Sequence, residues 1–146
     1  MTSDETEPVS CTCFAIRRAA RHLTQVYDRH MAPIGLRTTQ FSLLRLLTRS
    51  GPRSIQSLAQ EMGLDRTTLG RNLRPLERDE LVSIAVDPAD RRGRALAITE
   101  RGRAKVREGE ALWETAQSSF EATYGAERTR ALHATLDALS RLELRR

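Results

Sequence analysis

The 146-residue sequence has few of the features that mark disulfide scaffolds, membrane proteins and metal sites. Its two cysteines, Cys11 and Cys13, cannot form a disulfide framework, and no clustered histidines accompany them as in a zinc site. No run of about 18 apolar residues occurs, so we expect no membrane-spanning helix. The acidic first ten residues lack the basic start and apolar stretch of a secretory signal. We therefore expect a cytoplasmic protein in which residues 1–9 are disordered.

Lysine is also scarce, because Lys105 is the only lysine among 24 basic residues. The others are arginines, and the chain has a formal charge of +5 and a pI near 10.2. The arginine guanidinium is a planar fork of donors that suits phosphate and the edge of guanine. A compositional bias of the genome would give the same result, so the charge permits nucleic-acid binding without establishing it.

Residues 54–76 predict two short helices joined by a tight turn. Ser54 can cap the first helix (55–62) and Asp65 the second (66–78), because a short side-chain oxygen accepts a free N–H at a helix start. Gly63 between them tolerates the positive φ common at a helix end. Apolar residues at helical spacing leave the second helix a polar outer face. That face consists of Arg66, Thr67, Thr68, Arg71, Asn72 and Arg74.

This pattern is typical of a helix-turn-helix whose second helix reads DNA. An ordinary helical hairpin with a solvated basic face fits the same two helices equally well, so the surrounding chain has to decide.

The segment after the second helix predicts a β-hairpin. Residues 81–86 and 94–99 alternate apolar and small residues, as half-buried strands do, and the turn-rich loop 87–93 joins them. A hairpin directly after a helix-turn-helix is a wing. Arg91, Arg92 and Arg94 lie at or beside its tip, where they could enter the negative potential of a narrow minor groove.

Amphipathic helices are predicted on both sides of this unit. They cover residues 10–31, 39–48 (capped by Thr38 and apolar almost all round), 100–123 (capped by Thr99) and 126–144. Hydrophobic residues make up only 39% of the chain, so a partner chain would help to complete the core. We expect a mainly α fold with a small β-hairpin. A winged helix-turn-helix at 36–99 would be flanked by a helical dimerisation region at 10–35 and 100–146. A two-fold dimer would set two recognition helices about 34–36 Å apart.

Residues 10–144 resemble the MarR family of winged-helix transcription regulators. The most specific piece is DPADRRGRALAITERG (87–102), which looks like the family's wing signature, with Asp90 and Arg92 as its Asp-x-Arg element. LAQEMGLDRTTLGRNLRPLERDELV (58–82) is similar to the family's helix-turn-helix and following strand. The resemblance implies an obligate homodimer that binds pseudo-palindromic double-stranded DNA and usually represses transcription. It also implies release by a small, often phenolic, ligand or by cysteine oxidation.

The resemblance assigns roles to individual residues. Arg92 would be the wing-tip arginine held by Asp90, with Arg91 or Arg94 assisting on the DNA backbone. The residues facing the major groove would be Arg66, Thr67, Thr68, Arg71 and Asn72.

Two residues of the second helix, Gly70 and Pro75, depart from what a recognition helix favours. An interior proline costs about 3 kcal/mol and a glycine about 1 kcal/mol relative to alanine, so a bend or loosening is expected at Pro75. Gly70 could instead permit close approach to DNA.

Cys13 and Tyr27 resemble the organic-hydroperoxide-sensing branch of the family, in which tyrosines hold a cysteine at the start of the first helix. Arg17 stands where that branch has a tyrosine, and an arginine near a thiol would favour the thiolate. The alternative is that Cys13 is a small buried residue. Cys11 would be a second thiol or disordered, and as i and i+2 residues of one helix the two cysteines are not expected to bridge.

A pocket for a small aromatic ligand could instead lie between the dimerisation helices and the winged unit. Its candidate lining residues are Arg17, His22, His30, Arg45 and Trp113, each of which suits a surface or core position at least as well. The three histidines show no metal spacing.

Two other functional classes are less consistent with the sequence. A winged-helix module that contacts another protein and not DNA would not need the basic wing tip and polar recognition face. No catalytic grouping or glycine-rich phosphate loop occurs, so we expect neither an enzyme nor a cofactor.

Overall fold

The computed structural model describes residues 11–145, so the disorder predicted for residues 1–9 concerns residues outside the described part. The helices are α1 (Thr12–Met31), α2 (Thr38–Ser50), α3 (Ile55–Met62), α4 (Arg66–Arg78), α5 (Glu100–Tyr124) and α6 (Ala126–Ser140), with a 3₁₀ turn at Ala32–Ile34. The strands are β1 (Arg53–Ser54), β2 (Val82–Val86) and β3 (Arg94–Ile98). The predicted fold class, mainly α with a small antiparallel sheet, is confirmed.

The wing is the predicted hairpin plus a strand that the sequence does not signal. Strands β2 and β3 are antiparallel, with Val82 opposite Ile98 and Val86 opposite Arg94. Strand β1 pairs with the other edge of β3, which gives the order β1-β3-β2. Since β1 has only two residues, no periodicity could predict it.

Helix α2 lies at the centre of the fold, where it contacts α1, α4, α5 and β3. The side chains of Phe41, Leu43, Leu44 and Leu47 are completely buried, which confirms the expectation of a helix apolar almost all round. The leucine stripe of α4 packs into the same core, to which Met31 of α1 and Val106 of α5 also contribute.

The start of α2 differs from the prediction, because Thr38 is the first helical residue and not the cap. Arg37 occupies the N-cap position, and its backbone N–H donates to Gln40 Oε1 at 2.9 Å. The N–H of Thr38 donates to Asp28 Oδ1 at 2.7 Å, so a carboxylate of α1 caps α2. This cap comes from ten residues away and is therefore invisible to a local capping rule.

Two glycines bring α5 close to the winged unit. A Cβ at Gly102 would overlap the Leu81 carbonyl and the Ile98 side chain, and a Cβ at Gly109 would overlap the Phe41 ring. The helix starts where predicted, because Thr99 Oγ1 accepts from the Gly102 N–H at 3.0 Å.

The helical ends pack much less tightly. Residues 12–22 of α1 are all exposed, and so are residues 133–145 around the end of α6. Helix α6 stops at Ser140, four residues before the predicted end. Among the helices within residues 11–145, none combines the length and apolar content needed to cross a bilayer.

Candidate nucleic-acid interface

The two helices of residues 54–78 are fixed by their caps, as predicted. Ser54 Oγ accepts from the Ser57 N–H at 3.0 Å, and Gly63 ends α3 with a φ of 64°. Asp65 Oδ1 accepts from the Thr68 N–H at 2.7 Å and starts α4. Hydrogen bonds to this carboxylate, first from the Thr68 backbone, hold the pKa of Asp65 below its ordinary value. An ionised carboxylate thus caps the start of α4.

The predicted reading face of α4 divides into free and engaged side chains. Thr68 Oγ1 donates to Asp65 Oδ2 at 3.1 Å, and Asn72 Nδ2 donates to the Thr68 carbonyl at 3.0 Å. Both residues are half-buried, so they brace the helix, and Asn72 Oδ1 is left as an acceptor. The exposed members of the face are Arg66, Thr67, Arg71 and Arg74. These arginines and Thr67 are the groups best placed to reach phosphates or base edges.

Helix α4 continues without interruption through Pro75. The bend or loosening expected there therefore does not break the helix, although Pro75 cannot donate to the Arg71 carbonyl. Gly70 is half-buried, and no atom lies within 4 Å of the position that a Cβ would take. Sterically, the fold itself does not require a glycine at this position.

The wing tip is held by aspartates. The Ala89 N–H donates to Asp87 Oδ1 at 2.9 Å, and the Arg92 N–H donates to Asp90 Oδ1 at 3.0 Å. Asp90 therefore holds Arg92 by its backbone, which leaves the guanidinium unconstrained. Arg91, Arg92 and Arg94 are all exposed. The wing thus presents three exposed arginines, of which Arg91 and Arg92 lie in the turn and Arg94 begins β3.

A cleft of about 400 Å³ separates the wing from the helix-turn-helix. Its lining residues are Ser54, Ile55, Gln56, Arg66, Asp87, Asp90, Arg92, Gly93 and Arg94. Sequence reasoning missed Gln56, although a polar residue in the first turn of α3, two residues after the Ser54 cap, is the available signal. Because arginines from α4 and from the wing face one cleft, a nucleic-acid backbone could contact both.

The candidate redox residues are not adjacent within one chain. Cys11 is the extended N-cap residue of α1, so the two cysteines do not share a helix as expected, and both are exposed. Tyr27 lies fourteen residues beyond Cys13, about 21 Å along the helix at 1.5 Å per residue. Its hydroxyl donates to Gln117 Oε1 at 2.7 Å. Burial, and then the charge of Glu121, raises the pKa of Tyr27.

The candidate ligand residues fall into separate places. The Arg45 guanidinium lies 4.2 Å from the centre of the Trp113 ring. Arg45 Nε is 3.2 Å from Glu110 Oε1, but the angle is too poor for a hydrogen bond, so this pair is electrostatic. The pair of Arg45 and Trp113 joins α2 to α5.

The remaining candidates lie on α1. His30 Nδ1 is 3.0 Å from the Val26 carbonyl, and Arg17 lies on the exposed half of the helix. His22 lines a groove of about 360 Å³ between α1, α5 and α6, beside Tyr27 and Tyr124. A single chain therefore does not bring the five predicted residues into one pocket.

Comparisons with known proteins agree with this geometry. A sequence model of the MarR family matches residues 36–93. The HTH-type transcriptional regulator MhqR of Bacillus subtilis is 30% identical over 87 residues, which cover 60% of this chain and 60% of MhqR. The chain therefore spans less than two thirds of that relative.

Solved structures match over a greater length. The Mycobacterium tuberculosis transcriptional regulator MosR, in complex with DNA, is 37% identical, with 91% of this chain and all of that chain covered and a TM-score of 0.73. Bordetella bronchiseptica BpsR, whose DNA binding is regulated by 6-hydroxynicotinic acid, is 27% identical, with 92% and 96% covered and a TM-score of 0.77. Both likenesses include the helical ends as well as the winged unit.

Proposed function

The chain belongs to the MarR family of DNA-binding transcriptional regulators, and from this premise we propose that it is a homodimeric repressor of a pseudo-palindromic operator. The observation that carries the proposal is the set of exposed arginines that α4 and the wing direct to one cleft. In this proposal, residues 36–99 read the DNA, and residues 10–35 and 100–146 hold two copies together. The protein would act in the cytoplasm, where its DNA lies, and not as an enzyme.

The exposed apolar side chains of the helical ends support a dimer. Phe14 is 50% exposed on α1, and Leu136 and Leu139 are 41% and 38% exposed on α6. In the proposed dimer, the second copy covers these side chains. A second copy joined by these helices would present two recognition helices about one DNA turn apart, roughly 34–36 Å.

The direct test is the binding of the protein to the DNA that flanks its own gene, measured by fluorescence anisotropy over a range of salt concentrations. Arg92→Ala should weaken binding to all duplexes and reduce the slope of log affinity against log salt by about 1, because one phosphate contact is lost. Arg130→Ala, the same charge change on exposed α6, should leave both quantities unchanged. Unchanged affinity in Arg92→Ala would rule out the wing assignment.

A second variant separates recognition of the base sequence from non-specific binding to DNA. Arg71→Ala should reduce the preference for the operator over a scrambled duplex by a factor that corresponds to about 1–3 kcal/mol, with a smaller effect on non-specific binding. An equal loss on both duplexes would mean that Arg71 contacts only the backbone.

We further propose that a small aromatic ligand or oxidation of Cys13 releases the protein from DNA. The ligand proposal is supported by the likeness to BpsR and by the aromatic groove beside Tyr27 and Tyr124. Its test is the loss of anisotropy on titration with a panel of aromatic acids. If no member of the panel weakens operator binding, the ligand proposal fails.

The oxidation proposal is supported by the exposure of the Cys13 thiol at the start of α1. Mild peroxide should release the unmodified protein and Cys11→Ser from DNA but not Cys13→Ser. Full release of Cys13→Ser would remove Cys13 as the sensor.

A further inference from the structure

The recognition helix α4 lacks one backbone hydrogen bond near its middle. Pro75 has no N–H, so the carbonyl of Arg71, four residues earlier, has no partner in the helix ladder. Gly70 directly precedes this point and adds backbone freedom. Nevertheless α4 runs unbroken from Arg66 to Arg78, so contacts from the rest of the fold support it at this point.

Apolar packing supplies part of that support. Leu69, Leu73 and Leu76 are at most 4% exposed and lie in the core of the winged unit. Apolar burial is non-directional, so it fixes the distance between α4 and the core more firmly than it fixes the rotation of α4. The leucine stripe sets which face of α4 points outward, and a directional contact fixes its rotation more finely.

Gln40 of α2 provides such a contact. The residue is only 8% exposed, and its Nε2 donates to the Asn72 carbonyl of α4 at 3.5 Å, a long hydrogen bond. The orientation of this amide is fixed from its other end, because Oε1 must accept from the Arg37 N–H at 2.9 Å. The donor end of Gln40 therefore has to face α4, at the residue that follows Arg71.

We propose that Gln40 is a positioning residue for operator reading, which holds the Arg71–Asn72 step of α4 at the rotation that base contacts require. This inference rests on the proposed function, in which α4 reads the operator. Gln40 itself touches no DNA, because it is buried between α2 and α4. It acts through Arg71, whose exposed side chain lies on the step that Gln40 holds.

The test compares the affinity for the operator with the affinity for a scrambled duplex of equal length. Gln40→Glu keeps the acceptor for the Arg37 N–H but loses the donor to Asn72. We expect the operator-to-scrambled ratio to fall about tenfold, the size of one lost base contact, with unchanged non-specific affinity. Gln40→Met, which removes both hydrogen bonds without introducing a charge, should reduce the ratio similarly if Gln40→Glu does not fold.

Pro75→Ala provides the control that separates positioning from general stability. It restores an N–H for the Arg71 carbonyl, so α4 should depend less on Gln40. In this background Gln40→Glu should reduce the ratio by only about two- to threefold, which a double-mutant cycle measures as coupling between the two sites.

Three outcomes would overturn the inference. The ratio could remain unchanged in both Gln40 variants while their thermal midpoints fall, which would make Gln40 merely structural. Gln40→Glu could lower the operator-to-scrambled ratio by the same factor in the unmodified protein and in the Pro75→Ala background. Finally, the unmodified protein could show no preference for the operator over the scrambled duplex, which would remove the proposed function together with this inference.

Discussion

The winged unit and the helical ends bury their apolar residues to very different extents. In the winged unit, Leu44 and Leu69 are completely buried by the chain's own atoms. In the helical ends, Leu139 is 38% exposed and Leu142 is 57% exposed. A single chain therefore completes the core of the winged half of the molecule, whereas the ends leave apolar side chains exposed. The predictions below test this difference.

The largest effect is expected in the completed half. Leu44→Ala should lower the free energy of unfolding by about 2–5 kcal/mol, because it leaves a cavity in a filled core. Urea unfolding at two protein concentrations measures it, and the loss relative to the unmodified protein should be the same at both. Leu46→Ala, at a half-buried position of the same helix, should cost less. Equal losses at the two positions would contradict a core completed by one chain.

The next effect concerns the ends. The double variant Leu136→Asp/Leu139→Asp should weaken the dimer about 100-fold, or about 2.7 kcal/mol, because it sets two charges on the apolar face of α6. Analytical ultracentrifugation measures the dissociation constant. Ala134→Asp lies on the opposite face of the same helix and should leave the dimer intact. If the double variant dimerises like the unmodified protein, α6 is not the contact.

Local sequence signals, the helix caps and one glycine, explain why the helix bounds of the winged unit are predicted correctly. The caps Ser54, Asp65 and Thr99 act on backbone groups three residues away, and Gly63 acts on its own φ, so short sequence windows contain all the required information. The bounds of α3 and α4 are therefore predicted to the residue. The sequence does not predict which side chains of α4 are free, because the same Asn72 side chain can donate either to DNA or to the Thr68 carbonyl.

Contacts between segments that are distant in the chain determine the remaining features, and the sequence does not predict these features. The carboxylate of Asp28 replaces Thr38 as the cap of α2, and β1 exists only because β3 passes beside it. The same limit applies to the predicted ligand residues, since Arg45 pairs with Trp113 while His22 lies in another groove. A residue type and its position along a helix do not determine which other helix it meets.

Asp28 connects the helical ends with the winged unit, because it lies on α1 and caps α2. Asp28→Ala should lower the free energy of unfolding by about 1 kcal/mol, as the loss of a helix N-cap does. Asp137→Ala provides the control, since it removes only the exposed ion pair with Arg141 and should cost less than about 0.5 kcal/mol. Urea denaturation of both variants gives the comparison. Equal costs would mean that the Asp28 cap stabilises the fold no more than an exposed ion pair does.

The smallest effect is expected at Asp65, whose cap lies wholly within the winged unit. Hydrogen bonds from Thr68 lower its folded-state pKa, so its ionised form stabilises the fold above the unfolded pKa of about 3.9. That contribution is lost as the pH falls through the folded pKa. Asp65→Asn keeps a capping oxygen but cannot titrate, so the unmodified protein should be slightly more stable at pH 7 and lose this lead toward about pH 3. Urea midpoints of the two proteins across this range measure the lead, which should not depend on protein concentration. A lead that stays constant with pH would show that the charge of Asp65 does not support α4.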